Sequence, residues 1–160
     1  MAATALDDAR TDRDRLWQSL MEMAKIGATP NGGVARLALT DLDRQARDLF
    51  VSWCREAGCE TRTDRVGNIF ARRPGLDPDQ PPVMTGSHLD TQPLGGKFDG
   101  IYGVLAGLEV VRTLNDARLD TLAPVDVAVW TDEEGARFGA GTVGSSVFAG
   151  RFDLKAALGR

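Results

Sequence analysis

Residues 82–90, PVMTGSHLD, residues 99–115, DGIYGVLAGLEVVRTLN, and residues 124–134, PVDVAVWTDEE, decide the fold between them. The first stretch is a short apolar strand that runs straight into Ser87-His88. The last sets Val125, Val127, Val129 and Trp130 in a run over 125–131 that suits an interior strand. Between them Ile101, Val104, Leu105, Leu108, Val111 and Leu114 recur at helical spacing and predict a helix over 99–115. Gly100, Gly103 and Gly107 would each weaken an exposed helix by about 1 kcal/mol relative to alanine, so close packing against a neighbour is their expected use. Strand, crossover helix and strand make a βαβ unit, which places the chain in the α/β class: a mixed or mostly parallel sheet flanked by helices. In such sheets ligands bind beyond the carboxyl ends of the strands, where His88 and Glu133 stand.

Outward from this unit, Leu16, Trp17, Leu20, Met21 and Ala24 predict an amphipathic helix over 10–25 that ends at Gly27. Residues 27–36, with Pro30 and Asn31-Gly32-Gly33, read as turns. Thr40 or Asp41 can cap a second helix whose buried stripe, Leu42, Ala46, Leu49, Phe50 and Trp53, runs on towards Gly58. The period then changes, and residues 60–64 and 66–72 read as two short strands with Asp64, Gly67 and Asn68 available for a turn or bulge. Residues 74–82 are a proline-rich surface loop, residues 1–9 are small and polar enough to fray, and residues 136–160 are glycine-rich, then briefly helical from Asp153 to Leu158.

At 160 residues the chain can form one domain with a sizeable core. A composition of 42% apolar and 26% charged residues is that of a globular protein. The net charge of -4 supplies no basic stripe for phosphates and argues against a nucleic-acid partner. No run is apolar and long enough to span a bilayer, and the acidic, polar start differs from a signal peptide, so no membrane partner is expected and the cytoplasm is the expected compartment. Cys54 and Cys59 read as free thiols.

The chemistry gathers at the strand ends. His88, the chain's single histidine, could be a surface residue, a hydrogen-bonded core residue or a metal ligand. Asp90, two residues on, could take the proton of the imidazole nitrogen that faces away from a metal. Asp99, in Gly95-Gly96-Lys97-Phe98-Asp99-Gly100, reads locally as the cap of the 99–115 helix. A carboxylate there could also use both oxygens on two cations about 3.5 to 4 Å apart. Asp132, Glu133 and Glu134 repel one another unless solvent or divalent cations neutralise them, and cations would let one glutamate bind while its neighbour moves a proton. The compact zinc, phosphate-loop, dinucleotide and serine-hydrolase signatures are all missing.

Three segments taken together, Gly86-Ser87-His88-Leu89-Asp90-Thr91-Gln92-Pro93, Gly95-Gly96-Lys97-Phe98-Asp99-Gly100 and Thr131-Asp132-Glu133-Glu134-Gly135-Ala136-Arg137-Phe138, resemble the N-carbamoyl-L-amino-acid hydrolase, β-ureidopropionase and allantoate amidohydrolase group. That group belongs to the M20-type metal-dependent peptidase superfamily, which also contains carboxypeptidases and aminoacylases. The resemblance implies hydrolysis of a carbamoyl C–N bond of an N-carbamoyl or ureido compound to an amino acid, ammonia and carbon dioxide. A peptidase or aminoacylase of the same superfamily is the alternative activity, and an inactive metal-binding or structural fragment the alternative of another class. It further implies two divalent ions (zinc, manganese, cobalt or nickel) held by His88, Asp99 and Glu134, with Asp99 bridging. Glu133 would be the general base and Asp90 the residue that orients His88. Members of the group are much longer, so residues 1–160 are expected to be the amino-terminal portion of a zinc-peptidase-like catalytic domain. The remaining ligands, a lid and a dimerisation domain would lie elsewhere, and the full-length form would be a homodimer.

Overall fold

The computed structural model describes residues 9–159, so the expected fraying of residues 1–8 lies outside the described residues. The elements in chain order are α1 (Arg13–Met23), α2 (Asp41–Glu56), β1 (Glu60–Thr63), β2 (Ile69–Arg73), β3 (Val83–His88), α3 (Ile101–Asp116), β4 (Val125–Trp130), α4 (Val143–Phe148) and α5 (Leu154–Leu158). The strands form one mixed sheet in the order β1-β2-β4-β3, and the expected α/β class holds. β3 pairs with β4 in parallel, as a crossover through α3 requires, whereas β1 with β2 and β2 with β4 are antiparallel. The register sets His88 opposite Trp130, so both chains leave the sheet at the same edge.

Strand alternation separates two faces. Ile69, Ala71, Val125, Val127 and Val129 pack with Leu20, Met23, Phe50, Leu105, Leu108 and Val111 from α1, α2 and α3 into the main core. On the other face Phe70, Trp130 and Phe148 meet with ring centroids 5.1 to 5.8 Å apart. Beside them Arg72 grips the buried Asp126 carboxylate through two bonds of 2.7 and 2.8 Å. Gly103 and Gly107 lie where α3 crosses the sheet. A methyl group at either would come within 2.9 Å of the side chains of Ser87 and Thr85, so close packing is indeed what these glycines permit.

Local capping fixes the helix starts. Asp12 accepts from the main-chain N–H groups of Asp14 and Arg15 to begin α1, and Thr40 accepts from Asp43 N–H to begin α2. Arg15 then reaches the buried Glu109 of α3 through bonds of 2.7 and 2.8 Å, which ties α1 across α3. Two expectations need correction. The residue that starts α3 is Gly100, with no side-chain cap, and Asp99 lies one residue outside with its carboxylate exposed. The glycine-rich stretch after residue 136 also holds α4, a helix the local sequence does not announce. Its start is set from outside: the N–H groups of Thr142, Val143 and Gly144 donate to the carbonyls of Glu133, Asp132 and Thr131. Among the described residues no helix is long and apolar enough to cross a membrane.

Candidate metal centre

His88 closes β3 and is buried. Its Nδ1 lies 2.8 Å from the Asp90 main-chain carbonyl, which only accepts, so Nδ1 carries the proton and donates it there. In the neutral ring this leaves the lone pair on Nε2. That atom faces Glu133 Oε2 at 3.4 Å and Asp99 Oδ1 at 3.9 Å. Gly100 makes the approach possible, because a methyl group on it would fall 2.4 Å from the imidazole ring. Gly100 also has φ 70°, a left-handed conformation natural to glycine, as the chain turns from Asp99 into α3.

Asp90 acts on the site differently from the sequence-based expectation. Its carboxylate is 3.9 Å from His88 Nδ1, beyond hydrogen-bond reach, and its carbonyl is the group that meets Nδ1. The carboxylate instead accepts from the main-chain N–H groups of Glu133 at 3.4 Å and Glu134 at 3.2 Å. Burial pushes the Asp90 carboxyl above the usual carboxylate range, while these N–H donors and His88 pull it back. Asp90 thus joins the end of β3 to the acidic loop after β4. The loop is also held from its far side by Asn68, whose Oδ1 accepts from Thr131 N–H at 3.0 Å and whose Nδ2 donates to the Gly144 carbonyl.

The two glutamates point apart. Glu133 is the carboxylate nearest His88, and Glu134 Oε2 accepts from the Gln92 side-chain amide at 2.9 Å. Gln92 lies in the segment from Gly86 to Pro93 that carries the resemblance, but nothing in the sequence alone marks it as a partner of Glu134. Asp132 is buried behind the loop, away from the role of an exposed acid. Among the described residues no three acidic, histidine or cysteine side chains close around a single point.

The donor set nonetheless fits a divalent cation of borderline softness: an imidazole with Nε2 aimed at carboxylates, one of them exposed. His88 Nε2 and Asp99 are brought together here, whereas Glu134 is held by the Gln92 side-chain amide. A catalytic zinc takes three protein ligands, more than the described residues gather at one point.

Residues 84–159 match the family described as Peptidase family M20/M25/M40. An N-carbamoyl-L-amino-acid amidohydrolase of Rhizobium meliloti is 55% identical over 154 residues, which cover 96% of this chain and 37% of that protein. An N-carbamoyl-L-amino acid amidohydrolase of Geobacillus stearothermophilus is 50% identical over 137 residues, covering 86% of this chain and 34% of that protein. Among solved structures, an amidase of the hydantoinase/carbamoylase family from Burkholderia vietnamiensis superposes with a TM-score of 0.95 at 59% identity, covering 96% of this chain and 37% of that one. The chain spans little more than a third of the length of the relatives it matches.

Proposed function

Because this chain belongs to the hydantoinase/carbamoylase family of amidohydrolases within the M20 peptidase superfamily, we propose that it is the amino-terminal portion of the catalytic domain of an enzyme that hydrolyses the carbamoyl C–N bond of N-carbamoyl amino acids or related ureido compounds. The reaction class is supported by 55% identity to an N-carbamoyl-L-amino-acid amidohydrolase along nearly the whole chain. The observation that carries the site assignment is the orientation of His88, with Nδ1 donating to the Asp90 carbonyl and Nε2 turned to Asp99 and Glu133.

On this reading His88, Asp99 and Glu134 would hold two divalent cations, zinc, manganese, cobalt or nickel, with Asp99 as the ligand common to both and the remaining ligands supplied from outside this stretch. Bound there, the cations would polarise the carbamoyl oxygen and lower the pKa of the attacking water. Glu133 is the general base. Its carboxylate takes a proton from that water and delivers it to the departing amino nitrogen. One water is consumed, the C–N bond to the amino acid breaks, and the carbamate released falls to ammonia and carbon dioxide. The main-chain N–H of Glu133 is anchored on Asp90, and this holds the base beside the His88 ring. Asp90 is the positioning residue. The full-length protein is proposed to be a homodimer, and the two buried free thiols, Cys54 and Cys59, suit the reducing cytoplasm.

The test is ammonia release by the full-length protein from N-carbamoyl-L-amino acids, run beside a dipeptide and with bound metal measured in parallel. Glu133→Gln should keep its metal and lose turnover by about 10²–10⁴-fold. A variant as active as its parent removes Glu133 as the base, and turnover of the dipeptide alone replaces the carbamoylase with a peptidase.

A further inference from the structure

We propose that Arg36 is a positioning residue for this site: it grips both peptide groups that flank Asp90 and so decides which imidazole nitrogen of His88 faces the acidic side chains. The inference rests on the metal-centre reading above. On the amino side of Asp90, the guanidinium Nε donates to the Leu89 carbonyl at 2.8 Å. On the carboxyl side, the Arg36 carbonyl accepts from Thr91 N–H at 2.8 Å, and Arg36 N–H donates to the Thr91 hydroxyl oxygen at 2.8 Å. The Asp90–Thr91 peptide group is therefore held at both ends, its N–H by Arg36 and its carbonyl by His88 Nδ1.

The side chain is anchored at its far end as well. Nη1 donates to the carbonyls of Ile26 at 2.7 Å and Met23 at 3.2 Å, just past the end of α1, where carbonyls carry partial negative charge. The Leu89 carbonyl is in this way braced against a helix terminus by one rigid fork.

Its cost marks the arrangement as more than filler. Arg36 is wholly buried, and its Nη2 has no hydrogen-bond partner among the described residues. Burial pulls its pKa down to about 10, against the opposing pull of Asp43 and Asp90, so it stays charged at neutral pH. An apolar side chain of that volume would avoid the desolvation penalty of a buried cation, but it could not hold the Leu89 carbonyl.

The test uses the full-length protein and its Arg36→Met and Arg36→Lys variants. Nitrogen-15 correlation spectra of the metal-free protein, with the His88 signals identified by their loss in His88→Asn, read the tautomer directly. Manganese titration calorimetry and steady-state kinetics follow. The wild type should show His88 protonated on Nδ1. Arg36→Met should mix the tautomers, weaken manganese binding by about 10–100-fold and lower kcat with little change in KM. Arg36→Lys, which keeps the charge, should recover part of each loss and carries the test where the methionine variant does not fold. A folded variant with wild-type tautomer and manganese affinity overturns the inference, as does a wild-type protein protonated on Nε2. A wild type that binds no manganese overturns the metal-centre reading instead, and the tautomer still decides the role of Arg36.

Discussion

Replacing Gly100 by alanine loads the candidate site at its tightest contact. Ile101 N–H donates to the Asp99 carbonyl at 2.7 Å across Gly100, whose φ of 70° and ψ of -52° are those of a strained γ-turn. A side chain in such a conformation costs about 1–3 kcal/mol. The added methyl group would also lie 2.4 Å from His88 Cε1 and Nε2. Carbon atoms rest about 3.5 Å apart, so ring and turn must separate by roughly 1 Å. His88 is buried and tied to the Asp90 carbonyl, so the separation either breaks that bond or pushes Asp99 outward. A misplacement of about 1 Å at reacting groups costs on the order of 10²-fold in rate. Gly100→Ala in the full-length protein should therefore lose about 1–3 kcal/mol in urea unfolding, by the same strain, and on the order of 10²-fold in kcat/KM for an N-carbamoyl amino acid. A variant with parental turnover would refute the reasoning that His88 must stay where Gly100 allows it.

Three further outcomes are expected. Asp90→Asn leaves one of the Glu133 and Glu134 N–H groups facing an amide donor, so about 1–3 kcal/mol of stability and part of kcat should go; unchanged urea midpoints and rates would dissociate Asp90 from the acidic loop. Arg47→Met strands the wholly buried Asp43 carboxylate, whose Oδ2 lies 2.7 Å from Arg47 Nε, and should cost about 3–5 kcal/mol in denaturant unfolding, with a loss under about 1 kcal/mol contradicting it. Burial raises the pKa of the Cys54 and Cys59 thiols, so less thiolate is present at pH 8 than on a free cysteine. Peptide mapping should find both unalkylated by iodoacetamide until the protein is denatured, and labelling of native Cys54 at the rate of a free thiol would count against the packing.

The βαβ unit was legible because its signals are local. Val125, Val127 and Val129 all point into one core, and the apolar positions of α3 keep helical spacing over its whole length. That His88 and Glu133 would meet was legible too, since strand ends in a parallel pair must come together. Their partners were not, because they depend on contacts between segments distant in sequence. The sequence offers a carboxylate at Asp90 for the His88 proton, but the path of the chain after β3 brings its carbonyl there and sends the carboxylate to the loop after β4. Asp99 has the composition of a cap, yet the γ-turn at Gly100 moves it one residue out of the helix and into the open. Arg36 and Gln92 lie in turn sequence with no periodicity, and only tertiary structure brings them to the site. The α4 helix is built the same way, from carbonyls of the acidic loop rather than from propensity.

The central claim is that His88 presents Nε2, and Asp99 a carboxylate, to a divalent cation. Anomalous diffraction from crystals of the full-length protein soaked in manganese tests it most directly. The expected result is a peak bonded to His88 Nε2 and to Asp99, with His88 Nδ1 still donating to the Asp90 carbonyl. Manganese bound only elsewhere, or coordinated through His88 Nδ1, would contradict it.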